Sequence, residues 1–331
     1  MKKIELLGIG KRDFLYPELK MSDIGKKIDV LNDIFNEDKE KIIFSGTTSE
    51  ELQKVIDNNP NTIIELDTKQ IELHNTIYLK DNTIINGNGT KFFADNIRYG
   101  FTGESISNVF INNINIQGNI EYGMYFVDCT NIKVANSKIN GMLQKSICII
   151  GTTTGFSITN NEMCNNQAGG IYIAGNVSNG IIELNDIRNN GGTSNWMAGI
   201  VITNVLSNDK YNIWETFDEA HHFPYKENLY AQLNCPNQLI IRDNQVMYNN
   251  ALGIYSDGAY LCYILNNTVY QNDKEGICLD YGTIGFYLKE NVFKANGRRI
   301  RQSDEDLRMD FVLDAGRMDD SSAKSKLPGV S

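Results

Sequence analysis

The sequence predicts an all-β solenoid, in which short strands stack coil upon coil with a period of about 24 residues. Two separate columns of residues repeat with this same period, and the composition is that of a chain with many turns. Asparagine accounts for 42 of the 331 residues and glycine for 28, against five prolines. Both residues accept the left-handed backbone that tight turns require, so their abundance indicates many short strands joined by turns.

The first column is an asparagine that follows an alternating apolar strand. The clearest copies are residues 238–246, 261–269 and 286–293. The members, with other residue types in the two earliest copies, are Ile114, Ser137, Asn161, Asn185, Asn244, Asn267 and Asn291. Successive spacings are 23, 24, 24, 59, 23 and 24 residues, so the long interval is one coil plus an insertion of about 35 residues.

The asparagines of this column are expected at a sharp turn between two strands. Asparagine tolerates the left-handed residue that such a turn needs, so we place each of them in that conformation. Their side-chain amides can then hydrogen-bond to their copies in the neighbouring coils, as stacked asparagines do in other ladders. The column therefore predicts an asparagine ladder along the solenoid.

The second column is a strand that opens with a small residue and continues with apolar residues. Its copies are residues 123–127, 146–150, 170–174, 199–203, 253–257 and 276–280. Leucine-rich repeats have a similar period, but their leucine-rich consensus is absent here. Two columns with one period favour three short strands per coil, with each strand parallel to its copy about 4.8 Å away.

With these columns, residues 62–296 resemble the right-handed parallel β-helix proteins of the pectin-lyase-like superfamily. The resemblance implies three sheets, with the asparagine turn between the second and third strands of each coil. It also implies that a substrate lies across the outside of the first sheet, as in the polysaccharide lyases and glycosidases of this fold. The motif sets of the alginate epimerases, polygalacturonases and pectate lyases are absent, so no specific family is identified.

The N-terminal part of the chain predicts one short helix. Thr48 and Glu51 have the spacing of a capping box, and Leu52, Val55 and Ile56 form a helical apolar stripe. This helix is expected to cover the open edge of the first coil. We therefore divide the chain into an N-terminal segment of unknown role at 1–45 and a parallel β-helix domain at 46–331.

Two insertions in the β-helix domain are predicted at about 205–236 and 298–326. Residues 328–331 resemble the opening of another first strand, so the chain is expected to end in mid-coil. Because an uncovered coil end invites association, we expect either a homo-oligomer that covers this C-terminal coil or a chain that is part of a longer protein.

The net charge, the apolar runs and the cysteines of the sequence disfavour several classes of partner and location. The formal net charge of −10 disfavours nucleic acid as a partner, and no apolar run is long enough to span a membrane. Six cysteines without a CxxC pair indicate reduced thiols. With no signal peptide visible, the sequence predicts a cytoplasmic or phage-particle protein, or a secreted one if a leader has been removed.

Alternation along the first strands predicts which side chains point outward. Tyr255 and Asp257 face out, and the column of Tyr255 also contains Tyr125 and Tyr172. These tyrosines are either a platform for sugar rings or a stack that only covers the sheet. We take Tyr172 and Tyr255 as candidate substrate-binding residues.

Asp257 and Asp280 occupy the same outward position on consecutive coils. Like charges directly opposite one another destabilise a sheet, so a purely structural sequence has reason to avoid them. Two close carboxylates can share a proton or bind a cation such as calcium, and glycosidases require an acid with a base or nucleophile. The alternative is that both are solvated turn residues, since each precedes a glycine-containing turn.

The two insertions supply further candidates. The first holds Trp214, His221, His222 and Tyr225, and histidine is suited to general acid and base chemistry at neutral pH. The second begins with Arg298, which could hold a substrate carboxylate or act as a lyase base. The structural alternatives are surface decoration for the first insertion and a solvated, mixed-charge loop for the second.

The sequence therefore predicts a carbohydrate-active enzyme that cleaves or epimerises a polysaccharide or oligosaccharide, as a lyase, glycoside hydrolase or epimerase. The alternative is a non-catalytic, carbohydrate-binding or phage attachment β-helix. No cofactor is required, with calcium as the one candidate metal, held by Asp257 and Asp280. The candidate catalytic residues are Asp257, Asp280, His221, His222 and Arg298, and the candidate substrate-binding residues are Tyr172, Tyr255, Trp214 and Tyr225.

Overall fold

A computed structural model describes residues 39–192, 194–204, 235–280, 283, 286–297 and 311–313, with the backbone alone at 195, 280 and 311–313. The described chain winds into a solenoid of three parallel sheets, and each complete coil contributes one strand to each sheet. The predicted all-β, right-handed parallel β-helix with a short N-terminal helix is confirmed.

The first sheet contains the strands of the second sequence column. In spatial order these are β4 (Ile77–Tyr78), β7 (Tyr99–Glu104), β10 (Tyr122–Val127), β13 (Lys145–Gly151), β16 (Gly169–Gly175), β19 (Ile200–Thr203), β22 (Ile254–Asp257), β25 (Ile277–Asp280) and β28 (Phe311–Leu313). Pairing joins Ile254 to Ile200 and to Ile277, as the column predicts.

The second and third sheets complete each coil. The second sheet is β1 (Lys41–Phe44), β2 (Ile63–Leu66), β5 (Ile84–Asn86), β8 (Ser107–Asn112), β11 (Thr130–Ala135), β14 (Thr154–Thr159), β17 (Ser178–Glu183), β20 (Asn237–Arg242), β23 (Tyr263–Leu265) and β26 (Tyr287–Lys289). The third sheet is β3 (Gln70–Leu73), β6 (Lys91–Asp95), β9 (Asn115–Asn119), β12 (Lys138–Asn140), β15 (Glu162–Cys164), β18 (Asp186–Arg188), β21 (Gln245–Met247), β24 (Thr268–Tyr270) and β27 (Val292–Lys294).

The helix α1 (Ser49–Asn58) covers the first coil. The capping box between Thr48 and Glu51 is present, and Leu52 and Ile56 are buried in the core. The Gln53 side chain donates to the Tyr78 carbonyl at 2.9 Å and accepts from the Tyr78 amide at 2.8 Å, so it satisfies the backbone of the terminal strand of the first sheet. The helix thus protects a sheet edge, as predicted.

The β-helix begins earlier than the boundary at residue 46 predicts. Strand β1 pairs in parallel with β2, Lys41 opposite Ile63, and is the terminal strand of the second sheet. The last residues of the segment assigned to 1–45 therefore belong to the solenoid.

The asparagine ladder is confirmed. Asn161, Asn185, Asn244, Asn267 and Asn291 are linked by side-chain bonds of 2.9–3.1 Å, each amide donating to the side-chain oxygen of the next coil. Each amide also donates to a backbone carbonyl of the preceding coil, for example from Asn267 to the carbonyl of Ile241 at 2.9 Å. Each side-chain oxygen further accepts a backbone amide, so these buried groups are satisfied.

The ladder asparagines are not themselves left-handed, contrary to the prediction. The residue before each one is, with φ of 54° at Asn160, 57° at Leu184, 55° at Asp243 and 51° at Asn266. The preceding residue makes the turn, and the side chain of the ladder residue points into the solenoid.

A second ladder, which the sequence columns did not reveal, runs along the turn between the third and first sheets. It consists of Asn166, Asn190, Asn249, Asn272 and Asn296. Its members are buried. Each follows the first ladder by five residues, as Asn272 follows Asn267.

The last coil differs from the prediction at the C-terminal end. The strand beside β25 is β28, with Phe311 opposite Ile277, so the strand expected at 328–331 does not occupy that position. Strand β28 lies within the insertion predicted at 298–326, while 328–331 lie outside the described residues.

The described part of the chain has no helix long and apolar enough to cross a membrane. All six cysteines are buried, and none of them forms a disulfide.

Candidate functional site

The candidate site is the outer face of the first sheet. Asp257 lies in register with Asp280 on the following coil and with Thr203 on the preceding one. The predicted backbone register of the aspartate pair is therefore confirmed. Only the backbone of Asp280 is described, so the convergence of the two carboxylates stays a prediction.

Asp257 is not the solvated turn residue of the structural alternative. It is 4% exposed, and Thr203 beside it is fully buried. A carboxylate removed from water costs free energy unless the protein compensates it. At this end of the sheet an acid is therefore buried on the outer face, outside the apolar core of the solenoid.

The tyrosines of the outward column are buried rather than open to solvent. Tyr125, Tyr172 and Tyr255 are 3–5% exposed and pack in one apolar cluster with Cys148 and Val201. The outward orientation is as predicted, but an open platform of three rings is not observed. Burial favours the packing interpretation, and sugar contact through Tyr172 or Tyr255 stays a prediction.

An aromatic cluster at the N-terminal end of this face is more accessible. The Tyr99 ring lies 5.6 Å from that of Tyr122 and 4.7 Å from that of Tyr125, and Tyr99 and Tyr122 are half-buried. Arg98 lies over the Tyr99 ring at 5.2 Å and pairs with Glu121 at 3.1 Å. Burial raises the pKa of Tyr122 and Tyr125, so their hydroxyls stay protonated and remain hydrogen-bond donors.

Lys145 is a buried cation on this face that the sequence analysis did not single out. Its ammonium group donates to the carbonyls of Ala168 and Trp196 and lies 5.4 Å from the centre of the Tyr172 ring. Burial lowers the pKa of Lys145 to about 8, and the neighbouring Cys148 opposes that shift. Burial also raises the pKa of the Cys148 thiol to about 12, so that thiol stays protonated at neutral pH.

Trp196 is a second residue that sequence reasoning missed. It lies in a 3₁₀ turn, Asn195–Met197, that precedes β19, and its ring meets the Tyr255 ring edge-on with centroids 5.5 Å apart. The residue is half-buried, unlike Tyr255. The sequence contained a signal of this additional turn, because Gly170 and Gly199 are 29 residues apart, five more than the period of 24.

The described residues do not assemble a metal centre. Within that part of the chain, no group of three histidine, cysteine, aspartate or glutamate residues is close enough to hold an ion. Calcium prefers six to eight oxygen ligands, and Asp257 offers one described carboxylate. The described ligand set does not fit calcium, and calcium binding by Asp257 and Asp280 remains an untested prediction.

The other predicted site residues lie outside the described residues: Trp214, His221, His222, Tyr225 and Arg298. The position of the first insertion along the chain is nevertheless informative. It connects β19 to β20, and β19 pairs with β22, which carries Asp257. The insertion therefore leaves the solenoid one coil away from the buried carboxylate.

Comparisons with known proteins agree with this architecture. The A-module of a mannuronan C-5 epimerase from Azotobacter vinelandii matches with a TM-score of 0.51 and 13% identity, over 84% of this chain and 73% of that one. A polygalacturonase from Erwinia carotovora matches with a TM-score of 0.42 and 10% identity, over 78% of this chain and 80% of that one.

A tailspike protein of a bacteriophage of Escherichia coli O157:H7 matches with a TM-score of 0.42 and 11% identity, over 75% of this chain and 37% of that one. No curated protein matches the sequence. At 13% identity, the likeness to the epimerase module shows the fold and no activity. The family model described as a right handed beta helix region matches residues 99–300, more than half of the sequence, and the chain belongs to this right-handed β-helix family.

Proposed function

We propose that the protein is a carbohydrate-active enzyme that cleaves or epimerises a polysaccharide across the outer face of its first sheet. The observation that carries the proposal is Asp257, an acid that is 4% exposed on that face and in backbone register with a second aspartate one coil away. A structural role would be served by any of the small or apolar residues that precede it in its column, such as Ala174 or Thr203.

The chemistry that such a pair supports is proton transfer at a sugar ring. Strands of adjacent coils are about 4.8 Å apart, which is close to the carboxylate separation of about 5 Å in retaining glycosidases. A pair of carboxyl groups at that distance can divide the chemistry, one donating a proton to the leaving group and the other acting as base or nucleophile. In this proposal Asp257 and Asp280 hold these two roles.

The insertions complete the proposed site. His221 or His222 would add an acid or base that titrates near neutral pH, and Arg298 would neutralise or deprotonate a substrate. Trp214 and Tyr225 would contact sugar rings. The short distance along the chain from β19 to the first insertion supports this assignment.

A second candidate function is carbohydrate binding without catalysis. The described part of the face favours it in one respect: aromatic residues predominate there, and Tyr99, Tyr122 and Trp196 are only half-buried. In that case the aromatic residues bind a glycan and no bond in the glycan changes.

The test is a screen of the purified protein on neutral and acidic polysaccharides, with added calcium and with a chelator. Three assays separate the reactions: ultraviolet absorbance for the unsaturated product of a lyase, reducing ends for a hydrolase, and proton NMR of the C5 configuration for an epimerase. Product formation in one assay supports the enzyme. Binding without product in any assay supports the second candidate.

A further inference from the structure

Lys145 bridges three consecutive coils on the outer face of the first sheet. It starts on β13, lies in register with Gly169 on β16, and its ammonium reaches the carbonyl of Trp196 in the turn before β19. The second bond, to the carbonyl of Ala168, fixes the ammonium on the middle coil. The lysine is 7% exposed, so its charge is used inside the protein rather than in solvent.

The middle coil is shaped to admit this side chain. A Cβ atom on Gly169 would lie 3.0 Å from the Lys145 ammonium nitrogen and 2.4 Å from the carbonyl oxygen of Ala198, and the φ of Gly169 is 126°. Glycine at this position therefore leaves a channel for the lysine stem. The arrangement is specific, because a side chain at residue 169 would displace either the lysine or the turn that it holds.

The turn held by Lys145 places Trp196 against Tyr255, on the strand that also carries Asp257. The indole meets the Tyr255 ring edge-on at 5.5 Å and an interplanar angle of 82°. Tyr255 and Asp257 are alternate residues of one strand and so point to the same side, about 7 Å apart. Trp196 is thus a half-buried aromatic side chain that contacts Tyr255, two residues before Asp257 on the same strand.

We infer that Trp196 is the sugar-stacking residue of this face and that Lys145 is the positioning residue that holds it. An indole offers a broad apolar surface with one polar N–H, which suits the C–H face of a pyranose ring. The inference rests on the proposed carbohydrate function, but it concerns binding and does not require turnover. Lys145 acts through the Trp196 carbonyl and does not itself contact the glycan.

The experiment uses a Trp214→Phe background, in which Trp196 is the only tryptophan because the chain has two. Phenylalanine keeps an aromatic ring at residue 214, and calorimetry with wild type identifies a fragment that the background still binds. Asp257→Asn is added for binding measurements so that no substrate is consumed. The probes are oligosaccharide fragments of polygalacturonate, alginate and a neutral β-glucan. We expect one of these to change the emission of Trp196, and we expect no change when the same fragment is added to protein denatured in guanidinium chloride.

Variants of Trp196 test the contact itself. Trp196→Ala should weaken calorimetric binding of that oligosaccharide by about tenfold. Trp196→Leu keeps an apolar contact with Tyr255 and should weaken binding similarly if the ring is what binds. Unchanged affinity in both variants, or a panel in which no oligosaccharide alters the emission, overturns the inference.

Variants of Lys145 test the positioning role. Lys145→Met should shift the free emission of Trp196 to longer wavelength and weaken binding by about tenfold, and with an active enzyme it should raise KM while changing kcat less than about twofold. Lys133→Met is the matched control, since Lys133 also lies over a ring, that of Phe110 at 4.8 Å, but on the second sheet. Equal effects of the two substitutions would show a general loss of stability and overturn the role of Lys145.

The two proposals can fail separately. If an oligosaccharide alters Trp196 emission while no polysaccharide is converted, the stacking role stands and the enzymatic function fails. If a polysaccharide is converted and both Trp196 variants keep the KM of the background, the enzymatic function stands and the stacking role fails.

Discussion

The side-chain amide of Asn244 donates to the side-chain oxygen of Asn267 at 2.9 Å, and Asn267 donates in turn to Asn291 at 3.0 Å. Asn267 is fully buried and also donates to the carbonyl of Ile241. One asparagine thus links three coils.

Asn267→Leu should destabilise the protein by about 3 kcal/mol, because it removes these bonds and leaves buried partners unsatisfied. The neighbouring Asn266 carries the left-handed φ of 51° but is exposed, and Leu184 occupies the equivalent position with φ of 57°. Asn266→Leu should therefore cost only about 1 kcal/mol. Unfolding in guanidinium chloride compares the stability of the two variants. A larger loss of stability in Asn266→Leu than in Asn267→Leu would refute the assignment of Asn267 as the stabilising ladder residue.

Gly169→Ala should destabilise the protein by about 3 kcal/mol, because its Cβ would lie 2.4 Å from the Ala198 carbonyl oxygen. Gly89→Ala is the control: φ there is also positive, at 81°, but nothing lies within 4 Å of the new atom. The control should lose only about 1 kcal/mol, from backbone strain alone. Equal losses in thermal melts would mean that the channel for Lys145 does not constrain residue 169.

The pKa of Lys145, lowered to about 8 by burial, predicts a pH-dependent stability. The unfolded lysine titrates near 10.4, so between about pH 8 and pH 10 the unfolded state binds more protons and stability rises with pH. Below about pH 8 the cost of burying the charge is fully present. The unfolding free energy of wild type should therefore rise by up to about 3 kcal/mol relative to that of Lys145→Met between pH 7.5 and pH 10.

The quantity to measure is the difference in unfolding free energy between wild type and Lys145→Met. Burial raises the pKa of Cys235 and Cys262 to about 12, so their titration lowers the stability of both proteins at alkaline pH. Urea unfolding of both proteins at four or five pH values gives the difference directly. A difference that stays constant across the range would mean that Lys145 does not titrate there.

Gln53→Ala should expose the edge of the first sheet, because the Gln53 side chain makes both backbone bonds to Tyr78. The cost should be about 1 kcal/mol, with faster hydrogen exchange at the Tyr78 amide. Lys54→Ala, at the next helical position, is the control. If exchange at Tyr78 is the same in both variants, Gln53 does not protect the edge.

Much of the fold could be predicted because each coil repeats the same local chemistry. The asparagine column at Asn161 to Asn291 and the strands around Ile254 both reflect contacts between equivalent residues one period apart. The second ladder was equally periodic, and the register of Asn272 to Asn296 was readable from the same spacing. The prediction of the left-handed residue was wrong because it followed the preference of asparagine for that conformation, whereas the preceding residue adopts it even where that residue is Leu184 or Asp243.

The site was less predictable because it depends on departures from the repeat. Lys145 and Trp196 have no equivalents in neighbouring coils, and their contact spans 51 residues. Alternation gave the direction of Tyr255 and Asp257 but not their burial, since burial of an outer face depends on what packs there rather than on strand period. Sequence spacing alone could not distinguish an open platform of tyrosines from a packed one.

The most direct test of the proposed function compares wild type with Asp257→Asn and Asp280→Asn, using the polysaccharide identified in the screen. Each substitution removes one of two carboxyl groups on residues that pair in register, so each should keep or slightly raise the melting temperature while lowering turnover by at least about 100-fold. Asp273→Asn, which removes another buried carboxylate at 1% exposure in a turn, should leave turnover within about twofold. Turnover in Asp257→Asn equal to that of wild type would contradict the proposal that this buried acid performs the chemistry.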